Sequence, residues 1–342
     1  MNKALGNILK FVFFLGLGIF LVWLITHKLT PAQWERIHLA FRQADYWFLI
    51  PVCVIGFFSF FIRALRWRLL ITPLGYKAGV FTTFSAVMVG YIANLAVPRM
   101  GEVTRCGMLA RYERLPVNKV IGTVLVERIF DVLCLVIVIA LTVLVQIDIV
   151  GDFFYRNVLM KVGNFFQHAN LSHNLMIVAI ILAGLAGLWF LLRQFRHMRW
   201  YRRLRILIRG VRTGFVSVGR LQEKRLFIVY TFLIWLCYFL MVYIGFMCFQ
   251  STASLGIRPA LSVLSFGSIG MIITQGGIGA YQLIVEKTLE LYGILDAYGF
   301  AFGWLSWLTQ TLLILVLGFF CVVAMPFVKR RKAVKIMAEH KI

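Results

Sequence analysis

The sequence predicts an all-α polytopic membrane protein, with about six full spans and two re-entrant helical hairpins arranged as an inverted repeat. Three observations predict it. Hydrophobic residues make up 61% of the 342 residues and charged residues only 14%, with a mean hydropathy of +0.87; roughly a quarter of a soluble domain is charged. The apolar runs are long and continuous, unlike the alternating segments of about ten residues that build an outer-membrane barrel. The basic residues behind the net charge of +23 gather at the ends of those runs. That is a membrane-topology pattern, and it argues against nucleic acid as a partner.

Lys3 and Lys10 precede Phe11 to Ile25, a run with no small-residue cleavage motif, which predicts a retained first helix over about 5–26. A polar link follows, from His27 to Asp45. The second span runs over about 46–65 and ends in R-A-L-R-W-R, Arg63 to Arg68. Val80 to Val97 is apolar but short, stops at Pro98, and has basic residues on both sides. A hairpin that enters and leaves on the cytoplasmic side keeps both basic clusters inside: 80–97 goes in, the chain turns at Pro98 to Gly101, and 102–113 returns. Broken backbone at membrane depth is tolerated only where protein or a cavity surrounds it.

Asn118 to Gln146 is long enough to cross. The base-poor link 147–172 suits the outside, and a helix over about 173–192 returns. It meets 11 Lys or Arg between Arg193 and Arg225, against one acid, Glu223; this loop is expected to be cytoplasmic and to attract anionic head groups. Span 226–250 follows. Ala260 to Thr274 is again short and breaks at Q-G-G-I-G, Gln275 to Gly279, before a helix over 280–292. The last span, about 297–327, leads to a short basic tail, 328–342. All 342 residues are expected to form one transmembrane domain, with halves 1–150 and 170–330. Each half reads span, span, hairpin, span, with opposite orientation. Interrupted segments at matching places in two inverted halves point to a transporter's binding site near the midplane. The alternative is eight ordinary spans.

Charge at bilayer depth is costly and usually marks a pathway. Arg99, Glu102 and Arg105 fall at i, i+3, i+6; Glu127 and Asp131 fall at i, i+4, with Arg128 beside them. These six charges sum to zero and are expected to neutralise one another, in one reading as structural ion pairs only. Arg63 and Arg66 are not needed for that neutrality, so they are candidates to grip a phosphate, for which the planar guanidinium fork is suited. In the plainer reading they anchor the cytoplasmic end, with Trp67 as an interface aromatic. In the second half, Gly276, Gly277 and Gly279 either permit a tight turn or present free amides to an anion at the start of helix 280–292. Gln282 and Glu286 are expected in a second-half cavity; Glu286 and Glu290, at i, i+4 with Lys287 between, line a wet cavity or face the outer water.

The six cysteines lie singly, with no C-x-x-C pair, and read as buried free thiols. No histidine has ligand spacing, so no metal is expected, and no cofactor. Neither a nucleophile elbow nor a phosphate-binding loop is present, so no enzyme is predicted.

R-x-x-R-W-R-x-L-L (Arg63 to Leu70), N-L-x-x-P-R-x-G-E-x-x-R (Asn94 to Arg105), E-R-x-x-D (Glu127 to Asp131) and G-G-I-G (Gly276 to Gly279) resemble the lysylphosphatidylglycerol synthase transmembrane region, over nearly the whole chain. The resemblance implies a flippase-type protein of the cytoplasmic (inner) membrane; the basic residues near both chain ends predict that both termini are cytoplasmic. It would move an anionic phospholipid or a polyprenyl-phosphate-linked lipid between leaflets. The acyltransferase-like synthase domain of the fused members has no counterpart here, so the synthase name is not expected to carry over. Gln275 and Gln282 stand where the family often has Pro and Glu, and an arginine common in the last span has no match near Trp304 to Trp307. On this reading Arg63, Arg66, Arg99 and Arg105 hold the phosphate, while Asn94, Glu102, Glu127, Arg128 and Asp131 orient them. The expected partners are membrane lipids with anionic head groups. The rival is a non-catalytic membrane subunit that presents a lipid to a lipid-processing transferase.

Overall fold

In the computed structural model, residues 30–97, 100–146, 221 and 223–339 are described, with isolated helical positions between 16 and 27. The chain divides into two compact units, 1–139 with 218–342, and 140–217. Of the second unit, only the end of one helix is described; the other described residues belong to the first. The expected spans over 5–26 and 173–192, the loop 193–225 and the turn residues Pro98 and Arg99 lie largely or wholly outside the described residues.

Nine α-helices are described, numbered in chain order, and there is no strand among the described residues. They are α1 (Pro31–Arg42), α2 (Leu49–Ile71), α3 (Val80–Ala96), α4 (Met100–Glu113), α5 (Val117–Val145), α6 (Lys224–Gly245), α7 (Ile257–Ile273), α8 (Ala280–Glu290) and α9 (Asp296–Glu339). Among the described residues, four helical segments are long and apolar enough to cross a membrane: Tyr46–Leu74, Val117–Val145, Lys224–Cys248 and Asp296–Pro326. Val80–Leu95 and Ile257–Ile273 are apolar but shorter.

Three boundaries differ from the sequence expectation. The polar link before residue 45 contains a helix, α1. Thr30 and Gln33 cap it reciprocally, at 3.3 and 2.8 Å, with Pro31 in the first turn. Helix α2 continues to Ile71, through all three of its arginines: carboxylates on another helix neutralise Arg63 and Arg66, and Arg68 donates to a backbone carbonyl. Helix α9 runs through Pro326 to Glu339, where a tail was expected from 328.

Helices α2 and α6 pack antiparallel, since Arg63 meets Tyr238 while Arg66 meets Thr231. Two hairpins flank this pair. In α3/α4 the open end is closed by Gly79 N–H donating to Glu113 (3.1 Å) and lies beside the end of α2, where Arg68 donates to Ala78 O (2.8 Å). In α7/α8 the open end is marked by Ser262 and Tyr292 hydroxyls 2.8 Å apart. It shares a core with Phe246 and Phe249, just beyond the other end of the α2/α6 pair. The hairpins thus open at opposite ends, and their tips touch. Gln275 Nε2 donates to Asn94 O at 2.7 Å, and Gly276 approaches Leu95.

Small residues set these distances. A methyl group at Gly90 would sit 2.9 Å from Gly101 O, so only glycine lets α4 lie this close to α3. Gly299 and Gly303, a G-x-x-x-G pair on α9, press on the α8 backbone at Glu286 and Gln282. Helix α9 continues past the second tip, where Trp307 Nε1 donates to Gly276 O (2.6 Å), and reaches α3 at Gly318.

Candidate functional site

The charged residues meet between α2, α4, α5 and α6. On α2, Arg63 and Arg66 are one turn apart and share a face. On α5, Glu127 and Asp131 do the same. Arg63 Nη1 donates to Glu127 Oε1 and to Asp131 Oδ2, both at 2.8 Å. Arg66 Nη2 donates to Asp131 Oδ1 at 2.7 Å and to Glu127 Oε1 at 3.3 Å. Both arginines therefore straddle both carboxylates. Arg66 and Glu127 have no solvent exposure, and Arg63 is also buried. Helix α6 completes the ring: Arg63 Nη2 donates to Tyr238 Oη (3.0 Å) and Arg66 Nη1 to Thr231 Oγ1 (3.3 Å).

Arg105 enters from α4, placed by the Gly90 approach. It is buried, with its guanidinium 4.9 Å over the Trp67 ring. Trp67 is itself fully buried and fixed by donating Nε1–H to Thr123 Oγ1 at 2.8 Å. Arg105 Nη2 lies 3.1 Å from Glu127 Oε2, but the two are not aligned for a hydrogen bond. Arg105 Nε also has no acceptor. At the partly exposed rim, Arg128 Nε lies 2.7 Å from Glu102 Oε1, and Arg128 Nη1 3.8 Å from Asp131 Oδ2. Among the described groups, four guanidiniums (Arg63, Arg66, Arg105, Arg128) face three carboxylates (Glu102, Glu127, Asp131), leaving one positive charge in excess.

This revises the sequence expectation. Arg63 and Arg66 are not spare groups at a cytoplasmic helix end. They are the principal partners of Glu127 and Asp131, because α2 extends far enough to present them to α5. Trp67 is a buried platform, not an interface aromatic. Glu102 and Arg128 form a rim pair of the kind that contributes little. Arg105 is the least committed of the buried arginines. Arg99 falls outside the described residues. Asn94 meets none of the described charged groups: its Oδ1 accepts from Gly101 N–H at 2.7 Å and so fixes the start of α4. Tyr238 and Thr231 had no signal in the sequence, since neither carries charge and both come from the other half of the chain.

The second break is closed on itself. Gly276, Gly277 and Gly279 have φ of 61°, 78° and 78°, a left-handed backbone that favours glycine. The Gly277 and Ile278 amides donate to Thr274 O and Gln275 O, and the Gly279 amide donates to Gln282 Oε1 at 2.8 Å. These three donors are occupied, so the anion-receiving role expected at this helix start finds no free amide among them. Gln282 is fully buried, and Glu286 is nearly so, its Oε1 3.3 Å from Lys287 Nζ. Neither faces outer water.

The chain is 25% identical over 270 residues to a UPF0104 membrane protein of Methanothermobacter thermautotrophicus, an alignment covering 75% of this chain and 78% of that one. It is 36% identical over 73 residues to a UPF0104 membrane protein of Methanocaldococcus jannaschii, covering 20% and 22%. No solved structure matches. The family profile of the lysylphosphatidylglycerol synthase transmembrane region matches residues 7–333. That span includes every helix of the buried cluster, and the chain belongs to this family of integral membrane proteins.

Proposed function

We propose that the protein is a lipid flippase or lipid transporter. Its substrate is an anionic phospholipid or polyprenyl-phosphate-linked lipid, moved between leaflets of the cytoplasmic membrane. The observation that carries this reading is Arg105. It is a buried guanidinium with two nitrogens lacking aligned acceptors, in a cluster one positive charge in excess. A phosphate monoanion supplies the missing charge and acceptors, and guanidinium binds it by paired hydrogen bonds. Arg63 and Arg66 stand beside Arg105 as further donors, held by Glu127 and Asp131.

The hairpins support a route. Helices of 17, 14, 17 and 11 residues are about 26, 21, 26 and 17 Å long at 1.5 Å per residue. Each falls short of the roughly 30 Å hydrocarbon core. Hairpins opening at opposite ends and meeting at their tips suit two re-entrant elements of an inverted repeat, with the substrate site near the midplane. The basic residues at the α2 end favour a cytoplasmic location for that end and for both termini.

Arg105→Ala tests the assignment. Glu127 keeps Arg63 and Arg66 in this variant, so the protein still folds and inserts. Purified protein in vesicles, with short-chain fluorescent phosphatidylglycerol and a membrane-impermeant quencher, is expected to lose at least about tenfold of its transbilayer rate, the factor that about 1.4 kcal/mol sets. Full activity in Arg105→Ala removes the phosphate role.

A further inference from the structure

Next to the arginine cluster is a cavity of about 220 Å³, bounded by α2, α6, α7, α8 and α9. Tyr238 belongs to both sites. Its hydroxyl accepts from Arg63, and its ring lines the cavity. Val242, Leu264, Met271 and Leu305 give the walls an apolar surface. Of the polar groups lining it, Ser268, Ser306 and Thr309 have turned their hydroxyl donors onto their own helices, and Tyr281 and the Gln310 carboxamide complete the polar share of the lining. Ser268 donates to Leu264 O (2.6 Å), Ser306 to Phe302 O, and Thr309 to Leu305 O (2.7 Å). A buried water needs about two to four polar partners; with these three donors used and most of the lining apolar, the cavity suits hydrocarbon. A cationic site and an apolar chamber joined by one amphipathic ring match an anionic amphiphile, with an acidic head and at least one hydrocarbon chain.

We propose that this cavity receives the head-proximal part of one hydrocarbon chain of the anionic lipid, with Tyr238 at the junction of head and chain. The proposal rests on the lipid-transport reading and adds to it. The chain does not stay wholly in the bilayer during transfer, and the site selects for a flexible chain as well as a charge. Met241 and Met271, unbranched and adaptable, line the wall and accommodate chains of different shape.

The test uses the full-length protein in nanodiscs of neutral lipid doped with phosphatidylglycerol that carries a photoactivatable diazirine on one acyl chain. Labelled peptides are mapped by mass spectrometry, and transbilayer movement is measured on the same preparation in vesicles. Labelling of Met241 and Met271 is expected. Unlabelled phosphatidylglycerol, but not diacylglycerol, should reduce it about tenfold, the ratio that about 1.4 kcal/mol of binding sets. Arg63→Gln should reduce it comparably; competition in the wild-type protein keeps the test independent of how that variant folds. Labelling confined to outward-facing residues such as Phe232 and Phe319 overturns the cavity, and if transport persists in that preparation the lipid-transport reading survives. Cavity labelling that diacylglycerol displaces equally well overturns the link to the arginines. Cavity labelling with charge-dependent competition but no transport supports the binding site and removes the transport reading.

Discussion

Glu127 receives three guanidiniums and has no solvent exposure. Taking such a group out of water is costly, and it is stable only while its partners remain. In Glu127→Gln, Arg63 and Arg66 keep only Asp131 and Arg105 loses its carboxylate partner, and breaking a buried pair in this way costs about 3–5 kcal/mol. The variant is expected to melt well below the wild type in detergent. Combining it with Arg66→Met should recover part of the loss, because the two residues touch and their effects are not additive. Equal melting of Glu127→Gln and wild type would show that the cluster does not hold the bundle. The members of this cluster were largely visible in the sequence, because charges inside apolar runs stand out. Their pairing was not. Helical spacing gives neighbours on one helix, whereas Arg63 and Tyr238 are 175 positions apart and meet only because α2 and α6 run antiparallel. The different commitment of Arg66 and Arg105 likewise depends on where α2 ends and how closely Gly90 admits α4.

At the scale of helices, glycine stripes decide which surfaces touch. A methyl group added at Gly303 would lie 3.1 Å from the Gln282 Cα, and backbone cannot yield as a side-chain tip can. Gly303→Leu is therefore expected to push α8 from α9 and destabilise by about 1–3 kcal/mol, read as a lower melting temperature. Gly107→Ala, on a face with nothing within 4 Å, is its control and should melt as wild type does. Both hairpins were legible as short apolar runs broken at Pro98 and at Gln275 to Gly279, and their boundaries fall within three residues of expectation. Helix α1 was not anticipated, because its sequence is polar and no apolar run marks it. Its signal was present: Thr30, Pro31 and Gln33 form a helix-start signature. The contact between hairpin tips had no sequence signal, since it runs from a glutamine side chain to backbone carbonyls.

For the molecule as a whole, the opposite openings of the hairpins make a topological claim that chemistry can check. Lys77 and Val117 lie exposed at one end of the bundle, and Ile257 and Leu295 exposed at the other. Single cysteines at these four positions, on a background lacking the native six, should label in two pairs from opposite sides of the membrane. Labelling of 77 and 117 from opposite sides would mean that α3 and α4 carry the chain across, and would leave the midplane site without its structural basis.

The unbalanced charge of the cluster has a consequence at this scale. A charge that moves through the membrane field gains or loses about 2.3 kcal/mol per 100 mV when it crosses the whole drop. Among the described groups the cluster carries one positive charge in excess, which a bound phosphate monoanion would neutralise. On the proposed transport reading, the reorientation of the empty site is therefore electrogenic, and that of the loaded site is electrically silent. A diffusion potential imposed on proteoliposomes should change turnover where the empty return limits the cycle, and should leave single-turnover movement of bound lipid unchanged.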